Sequence, residues 1–495
     1  MKLQTSSPWP GPIGLLTGTV FLSLTLIYVA VPALCGEGLP KIRVSSSGDD
    51  FVTEDGKAFM PFGVNYFRPG TGWAPQLWKR FEEEAVKRDF ALMKQYGVNC
   101  VRVFLTYGSF FWEQDRLNEE GLAKFDRFLE IAESCGIYVH PTGPDHWEGM
   151  PEWSRTDTIA DEKVLGALER FWQLFAGRYK GRAVIFAYDL RNEPSVGWDN
   201  RILRTKWNGY LRERYESAEK LAAAWQMPVD AIAWGNVPAP SPSANTPLVQ
   251  LLEYQKFREE IADEWTRRQV QAIKAADPDT LVTVGLIQWS VPVLLPGVRQ
   301  YAAFHPHRQA RYLDFLEVHF YPLAQGFYEY SSEEAEARNL AYVEAVVREV
   351  AAAGKPVVLG EFGWYGGGKL TINEGRHPPA DEEQQSRWCR AVVETTAPWT
   401  TGWLNWGLYD HPEARDVTQL TGLFTVDGKP KAWALVFREL AGHLVNLRDQ
   451  AIKRAQAGPT AQVSAGLDWD RAIVDLDYAQ KFRQAYYEQF LRRRP

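Results

Sequence analysis

The chain has 495 residues, 45% hydrophobic and 24% charged, which is enough apolar mass for a large core and the balance of a globular protein. Its formal charge of −7 is dispersed along the sequence, which excludes the basic footprint of a nucleic-acid binder. Aromatic side chains are abundant, with 20 Trp, 21 Tyr and 25 Phe, and ring faces suit the C–H faces of sugars.

The first feature met in chain order is an uncharged apolar run from Ile13 to Leu34, preceded by the single basic residue Lys2. It is long enough to span a bilayer. Ala33-Leu34-Cys35 offers the small-x-small pattern that a signal peptidase accepts. Residues 1–36 therefore read as a signal peptide or an N-terminal membrane anchor. Lys2 on one side and Lys41 and Arg43 on the other give no orientation. Either reading predicts a body outside the cytoplasm, secreted or membrane-attached.

Apolar strand-like runs then recur at Phe59 to Tyr66, Asn99 to Leu105, Ile137 to Thr142, Val184 to Leu190, Leu281 to Ile287, Phe315 to Phe320, Pro356 to Gly360 and Gly402 to Trp406. Amphipathic helical stretches separate most of them. Glu82 to Tyr96 carries Ala85, Phe90, Met93 and Tyr96 near a helical period, and Gly121 to Ser134 repeats the pattern. Eight alternating β and α units over residues 40–445 predict an α/β fold, a closed (β/α)8 TIM barrel. Between the fourth and fifth runs lies a long insertion, about residues 197–255, with a charged helical segment from Tyr210 to Gln226 and a Pro-rich stretch from Pro238 to Pro247. Inserts of this kind commonly shape an active-site rim. Residues 446–495 read as a linker to Gly466 followed by a C-terminal helical tail. Cys35, Cys100, Cys135 and Cys389 are scattered, with neither metal-ligand spacing nor a disulfide framework.

Two strings carry the chemistry: Asp189-Leu190-Arg191-Asn192-Glu193-Pro194 and Val357-Val358-Leu359-Gly360-Glu361-Phe362-Gly363. Each puts a carboxylate where a strand stops, and reacting groups of an α/β barrel collect at such ends. Glycosidic bond cleavage needs a proton for the leaving oxygen and a nucleophile or activated water at the anomeric carbon. A protonated and an ionised carboxyl on opposite sides of the bond supply both, without a metal or cofactor.

The sequence from Phe51 to Leu444 resembles family 5 of the glycoside hydrolases, in the clan of retaining (β/α)8 glycosidases. Arg102 in Val101-Arg102-Val103-Phe104 is similar to the second-strand arginine that steadies the nucleophile. Asn192 and Glu193 match the fourth-strand pair whose glutamate is the acid/base. His319 and Tyr321 match the sixth-strand His-x-Tyr, Glu361 the seventh-strand nucleophile, and Trp406 the eighth-strand sugar platform. The resemblance implies double displacement with a carboxyl separation of about 5 Å. It also implies a substrate-facing histidine near the third strand, for which His146 in Asp145-His146-Trp147 is the candidate; His140 is equally readable as a core or supporting residue.

Gly63-Val64-Asn65-Tyr66-Phe67-Arg68-Pro69 and Trp78-Lys79-Arg80-Phe81 look like the mannanase and mannosidase branch, which favours β-linked mannosides or glucosides of oligo- or polysaccharides. The insert from Tyr210 to Trp225 is similar to family 42 β-galactosidases of the same clan, leaving a β-galactosidase as an alternative. A transglycosylase would use the same residues. A catalytically silent carbohydrate-binding barrel would predict loss of one carboxylate, and both are present. Gly366-Gly367-Gly368 reads as a mobile loop after the nucleophile.

Overall fold

The computed structural model describes residues 38–73, 76–243, 245–293, 300–322, 330, 332–372, 377–457 and 466–493. The apolar run of residues 13–34 lies outside them, as do Cys35 and Arg494. No helix among the described residues is long and apolar enough to cross a membrane.

Three short strands open the described chain: β1 (Ile42–Val44), β2 (Phe51–Thr53) and β3 (Ala58–Phe59), paired antiparallel in that order. The eight predicted runs follow as β4 (Phe62–Asn65), β5 (Cys100–Thr106), β6 (Tyr138–Asp145), β7 (Ala187–Asn192), β8 (Leu281–Leu286), β9 (Leu316–Phe320), β10 (Val357–Phe362) and β11 (Gly402–Trp406). They close into a parallel barrel in chain order, with β11 pairing β4. Helices surround it, so this is the predicted (β/α)8 barrel. The small sheet was not foreseen, because Phe59 was read as the start of the first barrel strand.

Successive strand residues alternate between the lumen and the helices, and the barrel interior is therefore layered. In the lowest layer Cys100, Tyr138, Ala187, Leu281, Phe315, Val358 and Leu404 cluster with Ile42, Phe51 and Phe59 of the small sheet. That sheet plugs the barrel floor. Two residues further along the same strands stand Arg102, His140, Asp189, Thr283, Glu317, Gly360 and Trp406, all buried. The outward alternates, such as Val101, Val103, Val282, Val284, Leu316 and Val318, join the main core under the helices.

The insertion after β7 is helical at Arg201–Tyr215 and Ala218–Trp225 and leads into the 29-residue helix Leu248–Ala276. Trp207 packs its ring 5.0 Å from Tyr254 and 5.3 Å from Phe257 of that helix. Beyond residue 446, where a linker was expected, a helix spans Leu444–Ala457. Two tail helices, Trp469–Val474 and Leu476–Arg493, lie against the barrel helices. Tyr486 donates to Glu344 at 2.7 Å and Trp469 to Glu349 at 3.2 Å. Cys100, Cys135 and Cys389 are free thiols.

Candidate active site

Arg102, fully buried in the second interior layer, organises the site from β5. Its Nη1 donates to Glu361 Oε1 at 2.7 Å and to Asn65 Oδ1 at 2.9 Å; its Nη2 donates to Asp189 Oδ2 and to Asn192 Oδ1, both at 2.8 Å. The Nε lies 3.1 Å from Glu317 Oε1. One planar cation thus ties together β4, β5, β7, β9 and β10, which a point-charge ammonium could not do.

Both carboxylate-bearing strands break register just before their glutamates. β7 shifts against β8 between Asp189 and Asn192, and β10 shifts against β9 between Leu359 and Glu361. A one-residue shift exchanges the faces of a strand, and here it turns Glu361 towards the lumen next to Gly360. Glu193 follows β7 with φ of 45°, a left-handed conformation that costs a glutamate about 1 kcal/mol. Its amide donates to the Gly285 carbonyl at 2.8 Å, which holds the turn.

Glu193, His319 and Glu361 converge so that one carboxylate oxygen of each glutamate and a ring nitrogen lie within 4.8 Å of one another. His319 Nδ1 is 3.1 Å from Glu193 Oε1 and 3.4 Å from Glu361 Oε1. The Tyr321 hydroxyl donates to Glu361 Oε2 at 2.9 Å. Burial pushes the Glu361 carboxyl above its ordinary value, opposed by His319 and Arg102. Sequence reasoning anticipated Arg102 and Tyr321 beside Glu361, and left out His319 and the desolvation. Burial also disfavours charge on His319, yet Glu361, Glu193 and Glu317 together raise it to about 10. Burial holds the Tyr321 phenol well above its usual range, so it remains a donor.

Above these groups opens a cleft of about 360 Å³, lined on its walls by Trp73, Trp147, Trp364 and Trp406, with Glu193 and Glu361 exposed to it. Trp406 donates its indole N–H to Thr418 at 2.7 Å, which fixes the ring plane. His146 is not among the lining residues: it bonds Asp145 and stacks on Trp147 at 4.7 Å, and Trp147 takes the cleft wall. None of the described residues of the insertion lines the cleft either. The glycines after β10 are held in place, with Gly366 donating to Leu420 at 3.1 Å and Gly367 and Gly368 both to Ala380 at 2.9 Å. Gly366 serves close packing against Gln385 and Asp381, and Gly367 and Gly368 take positive φ of 88° and 158°, where a mobile loop was expected.

Sequence reasoning missed Asn65, Thr142, Asp189 and Glu317. Thr142 donates to Asp189 at 2.9 Å, and Glu317 bonds His140 at 2.7 Å. Period-two spacing from His319 and Arg102 would have found Glu317, which shares the lumen face of β9 with His319. The polar atoms of His140, Asp189 and Glu317 converge within 4.8 Å, a spacing that suits a cation, as do those of Glu193, His319 and Glu361. The cation among the first three is already the Arg102 guanidinium.

A parallel eight-stranded barrel with paired glutamates at the ends of β7 and β10 has the architecture of the (β/α)8 glycosidases. Comparison with known proteins narrows the class. Residues 52–410 match the family described as Cellulase (glycosyl hydrolase family 5). The chain belongs to glycosyl hydrolase family 5. It is 25% identical over 237 residues to "Beta-galactosidase YesZ" of Bacillus licheniformis, covering 42% of this chain and 34% of that one. It is 24% identical over 169 residues to "Mannan endo-1,4-beta-mannosidase F" of Aspergillus clavatus, covering 29% and 39%. The matches thus span little more than a third of these curated relatives. In fold it is similar to the exo-beta-1,4-mannosidase Op5Man5 of Opitutaceae bacterium strain TAV5, with a TM-score of 0.58, 18% identity, and coverage of 83% of this chain and 63% of that one.

Proposed function

We propose that this protein is a retaining β-glycoside hydrolase that cleaves β-linked mannosides or glucosides of oligo- or polysaccharides. The observation that carries the reading is the close carboxyl pair, Glu193 and Glu361, with oxygens within 4.8 Å. Retaining pairs stand about 5 Å apart, whereas inverting pairs leave room for a water.

Each glutamate has a role suited to its surroundings. Glu361, tied to Arg102 and Tyr321, attacks the anomeric carbon as the bond to the leaving oxygen breaks. Glu193, whose side chain is 26% exposed to the cleft, gives that oxygen its proton. The covalent glycosyl ester on Glu361 is then opened by water, which passes its proton to Glu193 and restores both groups with the β configuration retained. Trp406 and its aromatic neighbours provide a face for the sugar ring. The mannoside preference rests on the β4 and Trp78 motifs and on the names of the mannosidase and mannanase matches; the YesZ match makes β-galactosides a necessary arm of the test. The uncharged run from Ile13 to Leu34 supports export, with the barrel secreted or membrane-attached.

The test is a panel of aryl β-mannoside, β-glucoside and β-galactoside, with soluble mannan and β-glucan, assayed with wild type and Glu361→Gln. Turnover by wild type alone, with the β anomer appearing first by proton NMR, is the expected result. No turnover of any β-linked substrate, or an undiminished rate in the variant, overturns the proposal.

A further inference from the structure

Glu317 is a fully buried carboxylate beneath the proposed reacting pair, and the reaction itself does not call for it. Two glycines leave room for it and for the side chains it bonds. A Cβ at position 360 would lie 2.0 Å from Glu317 Oε1, and one at position 285 would stand 2.9 Å from Arg102 Nη2 and 3.0 Å from His319 Nε2. Any side chain at either position would displace the cluster.

Its hydrogen bonds constrain where protons reside. His140 Nδ1 lies 2.8 Å from the Ala187 carbonyl, which only accepts, so this nitrogen donates. His140 Nε2 is 2.7 Å from Glu317 Oε2, and a proton must lie between them. Glu317 Oε1 faces Arg102 Nε at 3.1 Å and His319 Nε2 at 3.3 Å. His319 therefore directs an N–H inward to Glu317 and its other nitrogen outward to Glu193 and Glu361.

We propose that Glu317 is a positioning residue: acting through His319, Arg102 and His140, it supplies the buried negative charge that balances the cluster when Glu193 is protonated and Glu361 ionised. This rests on the glycosidase reading above. The cations are Arg102, doubly protonated His319 and the proton between His140 and Glu317. The anions are Asp189, Glu317 and Glu361. They cancel when Glu193 carries its proton, the state from which the first chemical step begins. Among the described residues, the other groups within this layer are neutral: Asn65 on β4, the Cys100 thiol on β5, Thr142 on β6, Asn192 on β7 and the Tyr321 phenol after β9; His377 and the oppositely charged Arg415 and Asp416 face the pair from the cleft wall. Among the described residues, β8 contributes Thr283 and Gly285 to this layer and β11 contributes Trp406, none of which titrates. Burial opposes charge on Glu317, yet His140 and Arg102 hold it well below the usual carboxylate range, in keeping with its role as a fixed anion.

Glu317→Gln keeps the shape and removes the charge. While His140 keeps its second proton, the cluster then carries excess positive charge, which favours loss of the Glu193 proton and ionisation of Glu361. Both limbs of the kcat/KM pH profile should move to lower pH, the alkaline limb by about one unit or more. A purely structural role would lower the profile without moving it, and a profile that superimposes on wild type after scaling overturns the proposal. Wild type provides a second readout that needs neither turnover nor a folded variant. In nitrogen-15 NMR of histidine-labelled protein, with His319 assigned by its loss in His319→Gln, both ring nitrogens of His319 should carry protons at pH 7. A neutral His319 ring overturns the proposal even if Glu317→Gln fails to fold. Failure to hydrolyse any β-glycoside would instead sink the glycosidase reading, and the two failures are separable because the NMR measurement is independent of substrate.

Discussion

Glu193 and Glu361 share His319 as a neighbour but differ in burial, and their proposed roles rest on this difference. Glu361 is 3% exposed and bonded to Arg102 and Tyr321; Glu193 reaches into the cleft from a left-handed turn. Glu361→Gln should lower kcat by more than about 1000-fold on every substrate, since it removes the group that forms the covalent bond. Glu193→Gln should cost roughly 10²- to 10⁴-fold on natural substrates but little in the first step for an aryl glycoside whose leaving group needs no proton. Azide should rescue the second step of that variant and yield a β-glycosyl azide. An α product, or equal losses on good and poor leaving groups, would reverse the assignment. Arg102→Lys should destabilise the fold by about 3 to 5 kcal/mol, because no ammonium can satisfy Asp189, Glu317 and Glu361 together; chemical denaturation measures this. Arg102, Asn192, Glu193, His319, Tyr321, Glu361 and Trp406 were legible because each stands in a short motif on a barrel strand or just after one. Glu317 and Asp189 were not singled out because a carboxylate within an apolar run shows its partners only when the barrel closes.

The strands themselves were more legible than their neighbours. Eight apolar runs at βαβ spacing carry the barrel signal, and each contains or overlaps its strand. The register shifts before Asn192 and Glu361 were invisible, because a bulge changes pairing and leaves local composition unchanged. The three-stranded plug was missed for a similar reason: its strands are two or three residues long and hold one buried aromatic or aliphatic ring or chain apiece at Ile42, Phe51 and Phe59. The insertion after β7 was seen as an element, and none of its described residues lines the cleft. It packs on the helix Leu248–Ala276, and that helix reaches the loop after Glu193 through Arg258, which is 1% exposed. Arg258 donates to the carbonyls of Val196, Gly197 at 3.1 Å and Tyr301 at 3.0 Å. The loop that follows Glu193-Pro194 is thereby held to the helix from below. Arg258→Ala strands the buried carbonyls of Val196 and Tyr301 and should cost roughly 3 kcal/mol. It should also lower kcat more on poor leaving groups than on good ones, since the misplaced group is the proton donor. Equal loss on both would mean that Arg258 serves stability alone.

At the scale of the whole molecule, the C-terminal tail is part of the barrel's outer surface. The described residues from Gly38 onward form one compact unit, and the tail buries Ile473, Val474, Tyr486, Tyr487 and Phe490. Trp469 stacks on His305 with ring centroids 4.2 Å apart. His305 Nδ1 accepts the His307 amide at 3.3 Å at the start of a short helix, so this nitrogen must be free of a proton. Burial, together with His307 and Arg308 nearby, lowers His305 to about 3 from 6.5. A histidine depressed in this way adds stability that is fully present above its unfolded value and is lost as pH falls towards 3. Trp469→Ala uncovers the ring and lets it titrate nearer its ordinary value. At pH 7 the substitution should cost about 2 kcal/mol through lost packing and burial. Below roughly pH 6 the gap between wild type and variant should narrow, because the wild type alone loses the benefit of a buried neutral imidazole. Thermal melts of both proteins from pH 7.5 to pH 4.5 test this, and a gap that stays constant across that range would separate the tail's docking from the charge on His305.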